Sequence, residues 1–148
     1  MVSTPPDLMD HREEMSRILQ ERPAGLFLDI DGTLAPLLPD PASVTISRGV
    51  RLAIAALADR LDIVVLSGRS TSDSRRILGY DQVTYVGNHG CQWLRNGRET
   101  VVPAALEFVP SIHQIAKDAV SRFADFPGIY VEDKGPSMSI HYRNVADR

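Results

Sequence analysis

Only one cysteine, Cys91, occurs in the chain, so no intrachain disulfide can form, and no Cys/His cluster suggests zinc. Sixteen Lys and Arg against nineteen Asp and Glu leave a net charge of −3, without the basic surplus that a nucleic-acid surface needs. The longest apolar runs fall far short of the roughly 20 residues of a membrane span, so no membrane segment is expected. Met1 to Pro6 lack the basic and apolar regions of a signal peptide, and the expectation is a cytoplasmic protein. Internal repeats and low-complexity tracts are missing too.

What remains is an ordinary globular composition. The 148 residues are 43% hydrophobic and 24% charged, enough to bury a core. Residues 1–7 read as disordered, and Leu8 to Glu21 as a polar helix with a weak stripe of Met15, Ile18 and Leu19, ended by Arg22-Pro23. Gly25 to Ile30 has the composition of a buried parallel strand. Pro36, Pro39 and Pro41 stiffen the loop from Ala35 to Thr45. Ser47 caps a helix running to about Arg60, with Val50, Ala53, Ile54, Leu57, Ala58 and Leu61 on one face. Asp62 to Leu66 is a second strand, Ser70 to Leu78 a helix and Val83 to Val86 a third strand. This alternation predicts an α/β fold with a partial doubly wound parallel sheet. Asn96-Gly97 then marks a hairpin, Ala104 to Ala124 reads as a long amphipathic helix, and Ile129 to Glu132 pairs with Ser137 to Tyr142. The expected division is an N-terminal tail and helix over 1–24, a partial core with its hairpin over 25–103, and part of an α+β cap over 104–148.

The apolar strand stops at two carboxylates, Asp29 and Asp31, spaced two apart. At the end of such a strand they project into the crevice where open α/β sheets bind ligands. Paired carboxylates repel, so each favours a cation or a proton on its neighbour. That suits a nucleophile, Asp29, beside a general acid/base, Asp31, with a hard, oxygen-liganded ion such as Mg²⁺. A solvated Asp-Gly turn is the bland reading, and a charge interrupting an apolar strand end favours function.

Ser67-Gly68-Arg69 ends the second strand as Asp29 ends the first. A hydroxyl with free N–H groups at a helix start makes an anion site, although Ser67 could instead cap that helix. Arg69 could pair with a phosphate or with a carboxylate. Gly87-Asn88-His89-Gly90 follows the third strand, with His89 read as an orienting residue rather than a base. Glu132-Asp133-Lys134 and His141-Tyr142-Arg143 place directional polar groups on the last two strands, as cross-strand ion pairs or as a polyol site. Cys91 reads as a structural thiol, and Trp93 as a hairpin core residue.

Asp29-x-Asp31-Gly32-Thr33 resembles the signature of the haloacid dehalogenase-like superfamily, and Phe27 to Pro36 as a whole resembles trehalose 6-phosphate phosphatases. Ser67-Gly68-Arg69-Ser70, the Gly-x-His-Gly at 87–90, and Glu132-x-Lys134 followed by His141-Tyr142-Arg143 are similar to the same enzymes. The resemblance implies Mg²⁺-dependent hydrolysis of trehalose 6-phosphate through an aspartyl-phosphate. Asp29 and Asp31 are then catalytic, and the Asp29 carboxylate and Asp31 carbonyl are metal ligands. Ser67 and Gly68 hold phosphate, and Glu132, Lys134 and Arg143 contact the small-molecule sugar. Another sugar phosphate, or non-catalytic binding of one, are the alternatives. Such enzymes also use a later lysine and a later acidic pair, which do not follow Arg143. Lys117 and Lys134 fall in the predicted cap, and Asp147 follows no apolar strand. A fragment of a longer enzyme is therefore expected, with activity not assumed for this chain alone. Its third strand would be an open edge, and its apolar sheet face would be covered by a partner chain or by self-association.

Overall fold

The computed structural model describes residues 6–146. Disorder expected at residues 1–5 therefore lies outside the described residues, as does Asp147. Asp7 is ordered: its carboxylate caps a short turn at Leu8–His11, accepting from the Met9 N–H at 2.9 Å. That turn leads into α1 (Arg12–Gln20).

Strand β1 (Gly25–Leu28) is followed by α2 (Arg48–Ala58), β2 (Asp62–Leu66), α3 (Thr71–Leu78) and β3 (Thr84–Gly87). β1, β2 and β3 lie side by side and parallel. α2 and α3 start where the sequence supplies a cap. Ser47 Oγ accepts from Val50 N–H at 3.3 Å and Ser70 Oγ from Asp73 N–H at 3.1 Å. The hairpin signaled by Asn96-Gly97 forms between β4 (Gln92–Arg95) and β5 (Arg98–Val101), and β4 pairs antiparallel with β3. The third strand is therefore not an edge, contrary to expectation. The hairpin occupies that side, and β1 and β5 are the outer strands.

Side chains alternate across the sheet. Ile63 and Val65 of β2 and Tyr85 of β3 join Ile54 of α2 and Ile77 and Leu78 of α3 in one buried cluster, closed by Ile30, Val44 and Ile46. Phe27 and Leu66 point the other way, and Phe27 is 65% exposed. The apolar sheet face foreseen as uncovered is open only in part, because Val86 of β3, on the same side as Leu66, is buried. Trp93 is not the hairpin core residue expected. It is 45% exposed, and its indole N–H donates to the Gly90 carbonyl at 3.1 Å, while Leu94, one residue on, takes the buried position.

One long helix was expected after the hairpin, and two form: α4 (Pro103–Leu106) and α5 (Val109–Arg122). Pro110 explains the break. It lacks an N–H and its ring clashes with the preceding turn, so it sits in the first turn of a new helix instead. α5 packs on β6 (Tyr130–Asp133), with His113 hydrogen-bonded to Asp133, and β6 pairs antiparallel with β7 (Met138–His141). No helix among the described residues is long and apolar enough to cross a membrane.

Leu78→Ala, at a fully buried site, should cost about 2–5 kcal/mol in urea unfolding, whereas Leu52→Ala on the exposed side of α2 should change stability by no more than about 0.5 kcal/mol. Burial pushes the Tyr85 phenol up to about 12. Its unfolded value is about 10. The stability it confers is therefore complete below pH 10 and lost as pH rises toward 12. Melting temperatures between pH 9 and 12 should fall less steeply for Tyr85→Phe.

Candidate active site

β1 runs out at Leu28, and the chain turns at once. The N–H groups of Thr33, Leu34 and Ala35 converge on the Ile30 carbonyl, at 3.3, 3.0 and 2.9 Å. This tight turn throws Asp29 and Asp31 to the same end of the sheet, although only Asp29 directly continues the strand. Asp29 is exposed, and its Oδ1 accepts from the Ile30 N–H at 2.8 Å, which fixes its carboxylate beside the turn.

Arg69 settles the question that its sequence context left open. Its Nε donates to Asp31 Oδ2 at 2.7 Å and its Nη2 to Asp31 Oδ1 at 2.8 Å, a two-pronged pairing that only a planar guanidinium can make. Nη1 reaches Asp73 Oδ2 at 2.6 Å and the Pro41 carbonyl at 3.0 Å. The bond to Asp31 raises the already high Arg69 value despite burial, so the guanidinium is a fixed charge. Burial alone would raise Asp73, but the guanidiniums of Arg69 and Arg76 outweigh it and hold its carboxyl below the usual range.

Ser67 is buried at the end of β2, and its Oγ accepts from Arg69 N–H at 3.2 Å. The helix that follows is capped by Ser70, so the capping alternative for Ser67 does not hold. Two glycines allow the loop to close up. A Cβ on Gly68 would lie 2.6 Å from the His89 ring, and one on Gly87 would lie 2.6 Å from Thr71 N and 2.7 Å from Arg69 O. His89 therefore lies against the Ser67-Gly68 loop, with its backbone in the left-handed region at φ 55°.

From the other side, the β6–β7 pair brings Glu132, Lys134 and His141. Glu132 Oε2 meets His141 Nε2 at 2.9 Å and Lys134 Nζ at 3.5 Å, and Lys134 Nζ donates to the Gly68 carbonyl at 3.1 Å. The expected cross-strand contact is thus the Glu132–His141 hydrogen bond, while the Glu132–Lys134 ion pair runs along one strand and its turn, and all three residues line the cleft. Arg143 reaches over to the Leu38 carbonyl at 3.4 Å. All seven expected site residues, Asp29, Asp31, Ser67, Gly68, Glu132, Lys134 and Arg143, line one cleft of about 800 Å³. Asp73, Pro41 and Tyr130 also belong to it and were not anticipated. For Asp73 the signal existed: Ser70-x-x-Asp73 is a capping pattern, and Asp73 lies one helical turn from Arg69.

Among the described residues no three His, Cys, Asp or Glu side chains cluster as a metal cage. The donors that remain are an exposed Asp29 carboxylate and the Asp31 main-chain carbonyl, since the Asp31 carboxylate is taken up by Arg69. An oxygen-only pair of this kind suits a hard cation that keeps most of its water, and does not suit zinc.

A family model described as trehalose-phosphatase matches residues 27–148. A trehalose-phosphate phosphatase from Mycobacterium bovis is 34% identical over 129 residues, covering 86% of this chain and 33% of its own length. An uncharacterized glycosyl hydrolase from Mycobacterium tuberculosis is 31% identical over 99% of this chain, which corresponds to 11% of that protein. Among solved structures, the C-terminal domain of the Candida albicans trehalose-6-phosphate phosphatase superposes with a TM-score of 0.76 at 25% identity, covering 99% of this chain and 51% of the other. A trehalose-6-phosphate phosphatase related protein gives 0.75 at 27% identity, with 84% and 54% covered. The chain thus spans a third or less of these curated relatives and about half of these solved chains.

Replacing Arg69 by Ala leaves the Asp31 carboxylate and the Pro41 carbonyl without their donor and Asp73 with Arg76 alone, and should destabilise the protein by about 1–3 kcal/mol in denaturant titrations. Because Asp73 titrates lower folded than unfolded, its contribution is complete above the unfolded value of about 3.9 and lost as pH falls below it. Acid unfolding curves should therefore be shallower for Asp73→Asn than for the wild type below pH 4.

Proposed function

Because the chain belongs to the trehalose-phosphatase family, we propose that it carries the nucleophile, acid/base and sugar-facing residues of a Mg²⁺-dependent phosphatase that converts trehalose 6-phosphate to trehalose and phosphate. The observation that supports this best is the convergence of Asp29, Asp31 and the Ser67-Gly68 loop with Glu132, Lys134 and Arg143 on one cleft. In the same reading, residues 25–103 are core and 104–148 belong to a cap that closes over it.

The chemistry follows from where each group sits. An Asp29 carboxylate oxygen attacks phosphorus in line, the bond from phosphorus to the sugar oxygen breaks, and Asp31 gives that oxygen its proton. Asp31 then removes a proton from water as water attacks the aspartyl-phosphate. The Asp29–phosphorus bond breaks, phosphate leaves and Asp29 is restored. Ser67 Oγ and the N–H groups of its loop hold the phosphoryl oxygens. Lys134, Glu132 and Arg143 hydrogen-bond the sugar hydroxyls. Mg²⁺, when held by the Asp29 carboxylate and the Asp31 carbonyl, supplies positive charge that offsets repulsion between the nucleophile and a phosphate dianion. For Asp31 to act as an acid, its pairing with Arg69 must open.

Phosphate release should be highest with trehalose 6-phosphate across a panel of sugar phosphates. Chelation with EDTA should abolish it and Mg²⁺ should restore it. Asp29→Asn should lower the rate at least about 10³-fold and Asp31→Asn about 10²–10⁴-fold. Equal turnover by Asp29→Asn would overturn the mechanism. A preference for another sugar phosphate would overturn the substrate, and saturable binding without turnover would make the chain a binder.

A further inference from the structure

We propose that Asn88 is a positioning residue: its side-chain amide clasps the β6–β7 turn and thereby holds Lys134 and Glu132 against the Ser67-Gly68 loop. Asn88 is completely buried. Its backbone lies in the left-handed region at φ 49°, a conformation that costs a non-glycine residue energy and that its surroundings must impose. Those surroundings use both ends of the amide. Oδ1 accepts from Ser137 Oγ at 2.9 Å, and Nδ2 donates to Gln92 Oε1 at 2.6 Å, with the Lys134 carbonyl 3.5 Å away. The Asn88 main-chain N–H donates to the Arg69 carbonyl at 2.7 Å, so the residue is anchored to the same loop that it helps to cover.

The clasped turn is itself stiff. Lys134 N–H donates to the Ser137 carbonyl and Gly135 N–H to Asp133 Oδ1, both at 2.9 Å. A grip on residues 134 and 137 therefore sets the direction in which the Lys134 side chain leaves the turn. That side chain is only 9% exposed, and its Nζ reaches the Gly68 carbonyl and Glu132. Among the described residues the other side-chain ties from this hairpin region to the rest of the cleft are made by Lys134, to Gly68, and by Arg143, to Leu38, both long and flexible. Asn88 and Ser137 are short and partly or wholly buried, so their bond costs little side-chain entropy and fixes position better. An aspartate would fit the space but not the pattern, since it would turn a second acceptor, with a charge, toward Gln92 Oε1 and the Lys134 carbonyl.

That Lys134 and Glu132 meet a sugar rests on the phosphatase reading, whereas the clasp does not. The test is amide hydrogen exchange on the whole chain with Ser137→Ala and, as a second variant that keeps the left-handed backbone, Asn88→Gly. Amides of residues 130–141 should exchange about tenfold faster or more in both, with β1 and β2 unchanged. Calorimetry with Ser137→Ala should show weaker binding of trehalose 6-phosphate and unchanged binding of inorganic phosphate. Unchanged exchange over 130–141 in both variants would overturn the clasp. Faster exchange with unaltered sugar-phosphate affinity would overturn the positioning role. If the wild type binds neither ligand, the phosphatase reading falls, and the exchange result still decides the clasp.

Discussion

The cleft depends on one guanidinium. Asp31 and Asp73 bring two carboxylates together at the end of the sheet that carries Asp29, and Arg69 is the cation fixed between them. It joins the turn after β1, the proline loop through Pro41, and the first turn of α3 through Asp73. Its own carbonyl accepts from Asn88, so the turn after β3 is tied in as well. A lysine could neutralise charge here, but it could not satisfy two oxygens of one carboxylate and still reach two other acceptors.

The same pairing shapes the chemistry. In the proposed mechanism Asp31 serves as an acid in one step and as a base in the next, while both of its carboxylate oxygens accept from Arg69. The proposed acid step needs a new partner for Arg69, and a phosphate dianion entering the cleft is a competitor of the right charge.

Much of this was legible from local patterns. Apolar runs of strand length, Ser47 and Ser70 as caps, and Asn96-Gly97 between two short strands all act over a few residues, and the structure follows them. Asp29 and Asp31 stood out because charge at the end of an apolar strand is unfavourable without a purpose. What escaped was either a competing local rule or a distant partner. Pro110 was overlooked inside an amphipathic pattern, and its missing N–H split the helix. Trp93 and Leu94 differ by one residue, and only the pairing of β4 with β3 decides which is buried. Arg69 finds Asp31 across 38 residues and Asn88 finds Ser137 across 49, separations that no short motif encodes.

β1 is bonded on one side only, with Gly25 opposite Asp62 and Leu28 opposite Val65. A slip of one residue along β2 would exchange its two faces, turning Phe27 into the core and Leu26 and Leu28 out. Both faces are apolar, so hydrophobicity alone discriminates weakly between the two registers. What separates them is the polar end: in the slipped register Asp31 moves away from Arg69, and a buried guanidinium loses one of its two carboxylate partners. The carboxylate proposed for catalysis thus also favours the observed alignment of the sheet, from the end that carries the proposed site.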